Sequence, residues 1–283
     1  MRLLVDSGST KADWIAIDDD GKVLFTTQTL GLNPEILDGE EIIERINSRF
    51  DLLQNKDIAT HLFFYGAGCG TDNMKISLKK VFQNYFTKAI IVIQEDTYAA
   101  VYATTPIGEK AIVCILGTGS NCSYFDGEEL HQKVQSLGYI VMDDCSGNVL
   151  GKELIRKYYF NKMPNELAIE FEKMYDLDPD FIKNKLYKEP NPNAYLATFA
   201  KFLIQNKDTK FCKKIIYKGM KSFVKNYIMQ YENHKEVPIH FIGSIAFYLK
   251  DELQVTFDKY NLQLGNVLRR PIDGLIDYHV ANK

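Results

Sequence analysis

The sequence predicts an α/β protein written twice, as two βββαβαβα units with a cleft between them. Three observations carry this expectation. The opening apolar run Leu3-Leu4-Val5 enters Asp6-Ser7-Gly8-Ser9-Thr10-Lys11 and leaves through a second strand, Ala12-Asp13-Trp14-Ile15-Ala16-Ile17. The pattern returns downstream, where Ala111-Ile112-Val113-Cys114-Ile115-Leu116 enters Gly117-Thr118-Gly119-Ser120-Asn121 and leaves through Cys122-Ser123-Tyr124-Phe125. After each hairpin, strand patterns alternate with segments whose apolar residues recur at helical spacing.

In the first half, strands are expected near 2–7, 12–18 and 22–30, with turns at Gly8-Ser9 and Asp20-Gly21. Glu35 to Leu53 sets Ile36, Ile42, Ile43, Ile46, Phe50 and Leu53 at helical spacing after the start signal Asn33-Pro34. A strand from His61 to Tyr65, a helix over 73–86, a strand over 89–94 and a short helix after Asp96 follow. In the second half, strands are expected over 111–117, 121–126 and 129–135, then a helix over 148–160 and a long helical stretch over 164–232. Glu189-Pro190-Asn191-Pro192-Asn193 breaks that stretch, because two prolines forbid a continuing helix. Pro238 to Ile242 returns to strand and Ile245 to Phe257 to helix, and Pro271-Ile272-Asp273-Gly274 turns into a terminal helix. Residues 1–105 with about 265–283 are expected to form the first domain, and 106–264 the second, enlarged by the helical insertion.

Composition narrows the classes. The 283 residues suffice for one large or two ordinary domains, and 46% hydrophobic with 25% charged residues is usual for a water-soluble globular chain. A net charge of -3 supplies no basic field for nucleic acid or anionic lipid. No run of about 18 apolar residues and no signal-peptide pattern occurs, so neither a membrane nor nucleic acid is an expected partner. Five cysteines without a CxxC pair, and five histidines without ligand spacing, argue against a disulfide framework and a protein-bound zinc site. The expected location is the cytoplasm. Trp14 reads as core, Asp18-Asp19-Asp20 as a solvated turn, and the lysine-rich Lys210–Tyr231 stretch as a packed amphipathic helix.

The two glycine turns suggest chemistry. Glycine lets a backbone approach a ligand, and Ser and Thr hydroxyls with free N–H groups make a concave donor surface for an anion. One such turn is also an ordinary hairpin turn; two in matching contexts suggest a phosphate clamp.

With the carboxylate after the fifth strand and the late Gly243-Ser244-Ile245-Ala246, this order resembles the sugar kinase, actin and Hsp70 ATPase superfamily. Within it the chain is similar to the BadF/BadG/BcrA/BcrD-type ATPases, and most to their N-acetylglucosamine kinase branch. The resemblance implies ribonuclease-H-like domains in an actin-like ATPase fold, with ATP and Mg²⁺ as cofactors. It places Asp6-Ser7-Gly8-Ser9-Thr10-Lys11 as the first phosphate motif, Gly117-Thr118-Gly119-Ser120-Asn121 as the second and Gly243-Ser244 as the adenosine motif. Asp6 is then implied to hold Mg²⁺ through water, with Ser9, Thr10 and Lys11 at the β- and γ-phosphates and Gly117, Thr118, Gly119 and Ser120 closing on them. One carboxylate suffices, since Mg²⁺ keeps most of its waters; a turn-capping role remains the plain alternative for Asp6. Asp96 is implied as the base that takes the sugar hydroxyl proton, against the alternative that it N-caps the helix from Thr97.

Gly31-Leu32-Asn33-Pro34 and Tyr65-Gly66-Ala67-Gly68 match segments on the sugar side, which is implied to consist of Asn33, Gly68, Asp96, Gly138 and Asp143. One segment departs from the family. Where the relatives read Gly-Asp-Glu-Gly-Ser-Gly, this chain reads Met142-Asp143-Asp144-Cys145-Ser146-Gly147. If those glycines are left-handed, Met142 and Cys145 carry a Cβ penalty, Met142 brings an apolar side chain near the sugar, and N-acetylglucosamine becomes a poor substrate. The expected function is an ATP-dependent kinase of the 6-hydroxyl of N-acetylglucosamine or a related amino sugar, with a homodimer as an open expectation. The alternatives are an ATPase activator of a dehydratase, with an iron–sulfur cluster between two subunits, and a non-catalytic sugar sensor.

Overall fold

The computed structural model describes residues 1–8 and 11–282. The chain divides into two compact units, Met1–Ile107 with the segment from Arg270 onward, and Gly108–Arg269. The first opens with β1 (Arg2–Ser7), β2 (Lys11–Ile17) and β3 (Val23–Leu30) and continues with α1 (Gly39–Asn47), α2 (Phe50–Asn55) and β4 (His61–Gly66). It goes on through α3 (Asp72–Tyr85), β5 (Ile90–Glu95) and α4 (Asp96–Thr104). The sheet order is β3-β2-β1-β4-β5. β1 is antiparallel to β2 and parallel to β4, and β5 is parallel to β4.

β1 reads as a continuous apolar run because both of its faces are covered. Leu3 and Val5 pack with Trp14, Phe64 and Phe82, whereas Leu4 packs on the other face with Ile15 and Ile17. Trp14 is core as expected, 1% exposed, its indole N–H donating to Thr29 Oγ1 at 3.1 Å. The helix expected from Glu35 starts later and is broken. Asp38 accepts from the Glu41 N–H at 2.9 Å while Glu41 accepts from the Asp38 N–H, a capping box that outranks the Asn33-Pro34 signal. α1 then stops at Asn47, and α2 resumes at Phe50.

The second unit repeats the plan with β6 (Ala111–Leu116), β7 (Ser120–Phe125), β8 (Leu130–His131) and α5 (Gly147–Tyr159). The helical insertion resolves into α6 (Asn165–Met174), α7 (Pro179–Tyr187), α8 (Pro192–Thr198), α9 (Ala200–Gln205) and α10 (Lys210–Asn226). β9 (Ile239–Ile242), α11 (Ser244–Tyr248), α12 (Lys250–Tyr260) and β10 (Leu264–Leu268) complete the unit. Its sheet order, β10-β9-β6-β7-β8, is that of the first sheet read backwards, so the duplicated βββαβαβα class holds.

Two local differences from expectation have physical causes in single hydrogen bonds and caps, and two more follow. β8 spans two residues instead of seven, because the Lys133 N–H leaves the ladder for the Tyr231 hydroxyl at 3.2 Å. The insertion breaks at more than its prolines: Asp178 caps α7 through the Asp180 and Phe181 N–H groups, and Thr209 caps α10. The helix expected over 245–257 is interrupted at Leu249. β10 was not expected, because Leu264-Gly265-Asn266-Val267-Leu268 lacks alternation and carries a glycine.

After β10 the chain returns to the first unit as α13 (Ile272–Ala281). Ile272 and Leu275 bury against Leu4, Ile17 and Tyr65. Arg2 Nη1 donates to the His279 carbonyl at 2.7 Å, and a His279 ring nitrogen lies 2.9 Å from the Tyr65 hydroxyl. Among the described residues, no helix is long and apolar enough to cross a membrane.

Candidate active site

The register of the first sheet sets Asp6, Tyr65 and Gln94 in one row and Ser7, Gly66 and Glu95 in the next. Asp96 follows as the first residue of α4. Asp6 and Asp96 therefore stand at the carboxyl ends of parallel strands, where α/β sheets present ligands. The helix-capping position belongs to Glu95, which makes no side-chain capping bond.

Asp6 faces Asp13 across the β1–β2 pair. Asp13 is buried and gathers Lys11 Nζ at 2.8 Å and Gln28 Nε2 at 2.5 Å, with Arg270 Nη1 at 4.0 Å. Lys11, expected at the phosphates, is thus held by Asp13. Burial, with Asp96 and Asp13 nearby, pushes the Asp6 carboxyl up to about 7 against the opposing pull of Lys11 and Arg270. Burial and then Glu95 push Asp96 up to about 6, although the N–H groups of Asp96 and Thr97 lower it. Burial is the main cause of both shifts, and a cation brought to this sheet end would favour the charged carboxylates. No group of three or more His, Cys, Asp or Glu among the described residues could hold a metal ion. Asp6 fits a hydrated Mg²⁺, which needs only one or two carboxylates.

The segments matched separately to the sugar side meet at the end of β1. Ser7 Oγ accepts from the Leu32 N–H at 3.0 Å, and the Ser7 carbonyl from the Ala67 N–H at 2.9 Å. Gly68 has φ +82°, and a Cβ there would lie 1.9 Å from Asn33 Oδ1, so only glycine fits beside this buried Asn. Asn33 Oδ1 also accepts from the Glu35 N–H at 2.9 Å. Ser9 and Thr10, both expected at the phosphates, lie outside the described residues.

In the second unit the Gly117-Thr118-Gly119 turn is docked on the start of α5. Gly147 N–H donates to the Gly117 carbonyl at 2.8 Å and Asn148 N–H to the Thr118 carbonyl at 3.1 Å. The Asn148 amide bridges further, donating to the Thr118 carbonyl at 2.7 Å and to Asp143 Oδ2 at 3.0 Å. A phosphate-turn candidate and a sugar candidate are thereby tied through one fully buried side chain that sequence reasoning missed. Ser120 is buried at the start of β7, and Ser244 opens α11. Gly138 has φ +79°, and its carbonyl accepts from the Met142 N–H at 2.9 Å. Of the two side chains that replace family glycines, Cys145 is left-handed at φ +62° and fully buried. Met142 is absent from the left-handed positions and packs against the core of the unit.

Two glycines of the second unit differ in what they meet. A Cβ at Gly243, whose φ is +120°, would lie 2.2 Å from the Leu116 carbonyl oxygen, whereas one at Gly117 would meet no atom within 4 Å. Gly117→Ala should therefore fold normally and cost affinity only if a ligand backs onto that turn. We expect unchanged melting and at least about tenfold weaker ADP binding, read by calorimetry; unchanged binding would remove Gly117 from the candidates.

Two sheets of mirrored order with carboxylates at the strand ends define a sugar-kinase type of actin-like ATPase fold. The chain is 36% identical to a Porphyromonas gingivalis protein provisionally named an N-acetylglucosamine kinase, covering 100% of this chain and 99% of that one at a TM-score of 0.92. It belongs to the family of that protein. A Chromobacterium violaceum protein of the same provisional name is 15% identical over 98% of this chain and 99% of its own, with a TM-score of 0.71. A ROK family glucokinase from Streptomyces griseus, solved with glucose and AMPPNP, is 14% identical over 98% of this chain and 97% of its own, with a TM-score of 0.61. These last two share the fold. No family model matches the chain.

Proposed function

We propose that this chain is an ATP-dependent carbohydrate kinase of the BadF/BadG/BcrA/BcrD type, which transfers the γ-phosphate to the 6-hydroxyl of N-acetylglucosamine or a related amino sugar. The observation that carries the reading is Asp96, a carboxylate at the end of β5 raised to about 6 and set at the same sheet end as Asp6. The 36% identity to the P. gingivalis protein supports it.

In this reading Asp96 accepts the proton of the attacking hydroxyl. A pKa near 6 leaves it ionised at neutral pH yet basic enough for the task. Asn33 and Gly68 offer the sugar a side-chain amide and a half-buried stretch of backbone, and Gly138 and Asp143 are the sugar candidates of the second unit. Asp6 is the carboxylate that would hold hydrated Mg²⁺, which supplies charge neutralisation to the phosphates. Gly117, Thr118, Gly119, Ser120, Gly243 and Ser244 are the nucleotide candidates of the second unit, and Ser9, Thr10 and Lys11 those of the first. Little covalent work falls to the protein, since phosphoryl transfer depends on positioning and electrostatics.

The test is ADP release with Mg²⁺ across N-acetylglucosamine, N-acetylmannosamine, N-acetylmuramic acid, glucosamine and glucose, with the phosphate placed by NMR. We expect release to require sugar, to be greatest with an amino sugar and to yield a 6-phosphate. Release that no sugar stimulates would overturn the kinase reading in favour of a sensor.

A further inference from the structure

A concave basic surface of about 700 Å³ lies in the second unit between α5 and α10. Its cations are Lys152, Arg156 and Lys157 of α5, Lys162 beyond its end, and Lys214 and Lys218 of α10. Against these six stand two carboxylates, Asp144 and Glu153. Glu153 is engaged by Lys157 at 3.2 Å and Arg156 at 3.9 Å, and Asp144 accepts from the Asn226 amide at 2.7 Å. Lys152, Lys214 and Lys218 have no ion-pair partner among the described residues, in a chain whose net charge is -3.

Lysines on an amphipathic helix ordinarily fan out into solvent. Here Lys152 and Arg156 are four apart on one helix, Lys214 and Lys218 four apart on the other, and all four line the same cavity. Like charges at that spacing repel, so the arrangement leaves positive charge concentrated over an apolar floor that includes Leu150 and Ile215. We propose that this groove binds a small phosphate ester of two or more negative charges. The volume suits a ligand of hexose-phosphate size, and three unpaired ammonium groups are suited to phosphate oxygens.

The groove also reaches the Asp143 loop. Asp144 and Cys145 line it, and a Cβ on Gly219 would lie 3.4 Å from Cys145 Sγ, so α10 rests directly on this loop. An anion between α5 and α10 thus bears on Asp143, and through Asn148 on Thr118. Binding stands apart from the kinase reading, whereas any effect of the anion on turnover rests on it.

The experiment is calorimetric titration of the full chain with inorganic pyrophosphate, with and without saturating Mg-ADP, at two salt concentrations. We expect one pyrophosphate per chain that ADP does not displace and that weakens with salt. Lys214→Gln with Lys218→Gln should weaken it by about tenfold per lysine, with ADP binding and melting unchanged. Lys152→Gln on the facing helix should weaken it independently. No heat with the wild-type chain, complete displacement by ADP, or undiminished affinity in these variants would overturn the site. Tighter binding of a single-stranded oligonucleotide would overturn the small-anion assignment.

Discussion

Asp96→Asn is expected to lower kcat by about 10²–10⁴-fold, the worth of a positioned base, while sugar and ATP bind nearly as before. The amide keeps the shape of the carboxylate but cannot accept the hydroxyl proton. The pH dependence supplies a second reading with a definite sign. Below about 6 the wild-type Asp96 becomes protonated and the base is lost, so kcat falls as pH falls. That acid limb should vanish in the Asn variant, whose residual rate has no base to titrate. Steady-state kinetics with the best sugar of the panel check both; a variant that keeps more than about a tenth of wild-type kcat excludes Asp96 as the base.

Gly243→Ala is expected to be strongly destabilising. Its Cβ would fall 2.2 Å from the Leu116 oxygen, 2.5 Å from the Leu116 carbonyl carbon and 3.0 Å from the Gly117 nitrogen, at φ +120°. All three are backbone atoms at the end of β6, so relief requires moving the strand end and its turn. Backbone strain and overpacking together should cost roughly 3 kcal/mol or more, lowering the melting temperature by roughly 6–12 °C. Differential scanning calorimetry beside Gly117→Ala, which meets nothing, is the control. A wild-type melting curve for Gly243→Ala would show that the turn between β9 and α11 can be rebuilt.

Elements whose pattern reports burial directly were legible in the sequence. β1, β4 and β6 are covered on both faces, or nearly so, and their apolar runs, like that of the edge strand β5, mark them to within a residue. Elements decided by single hydrogen bonds were harder: Asp38, rather than Asn33-Pro34, starts α1, and the Tyr231 hydroxyl ends β8 early. The site divides the same way. Asp6 and Asp96 could be named from their place after apolar strands. The meeting of Gly68 with Asn33 could only be inferred by resemblance, since the two are 35 positions apart and joined by tertiary packing. Asp13 and Asn148 were missed because an Asp in a strand and an Asn near a helix start are unremarkable locally; their partners lie on other segments. In the divergent loop, of the two residues expected to carry a Cβ burden only Cys145 is left-handed, and Asp143 beside it is left-handed as well, at φ +69°.

The return of α13 to the first unit bears on the order in which the chain can become folded during synthesis. Leu4, Ile17 and Tyr65 belong to the earliest part of the chain, yet their covering residues, Ile272 and Leu275, are made more than 200 residues later. Until those residues leave the ribosome, that apolar face of the first sheet is covered only in part, by α4 residues such as Ala99, and the rest stays open to water. The second unit, contiguous from Gly108 to Arg269, meets no such delay. The nascent chain therefore completes its middle before its beginning, and through that interval its amino-terminal sheet is the part in need of a chaperone.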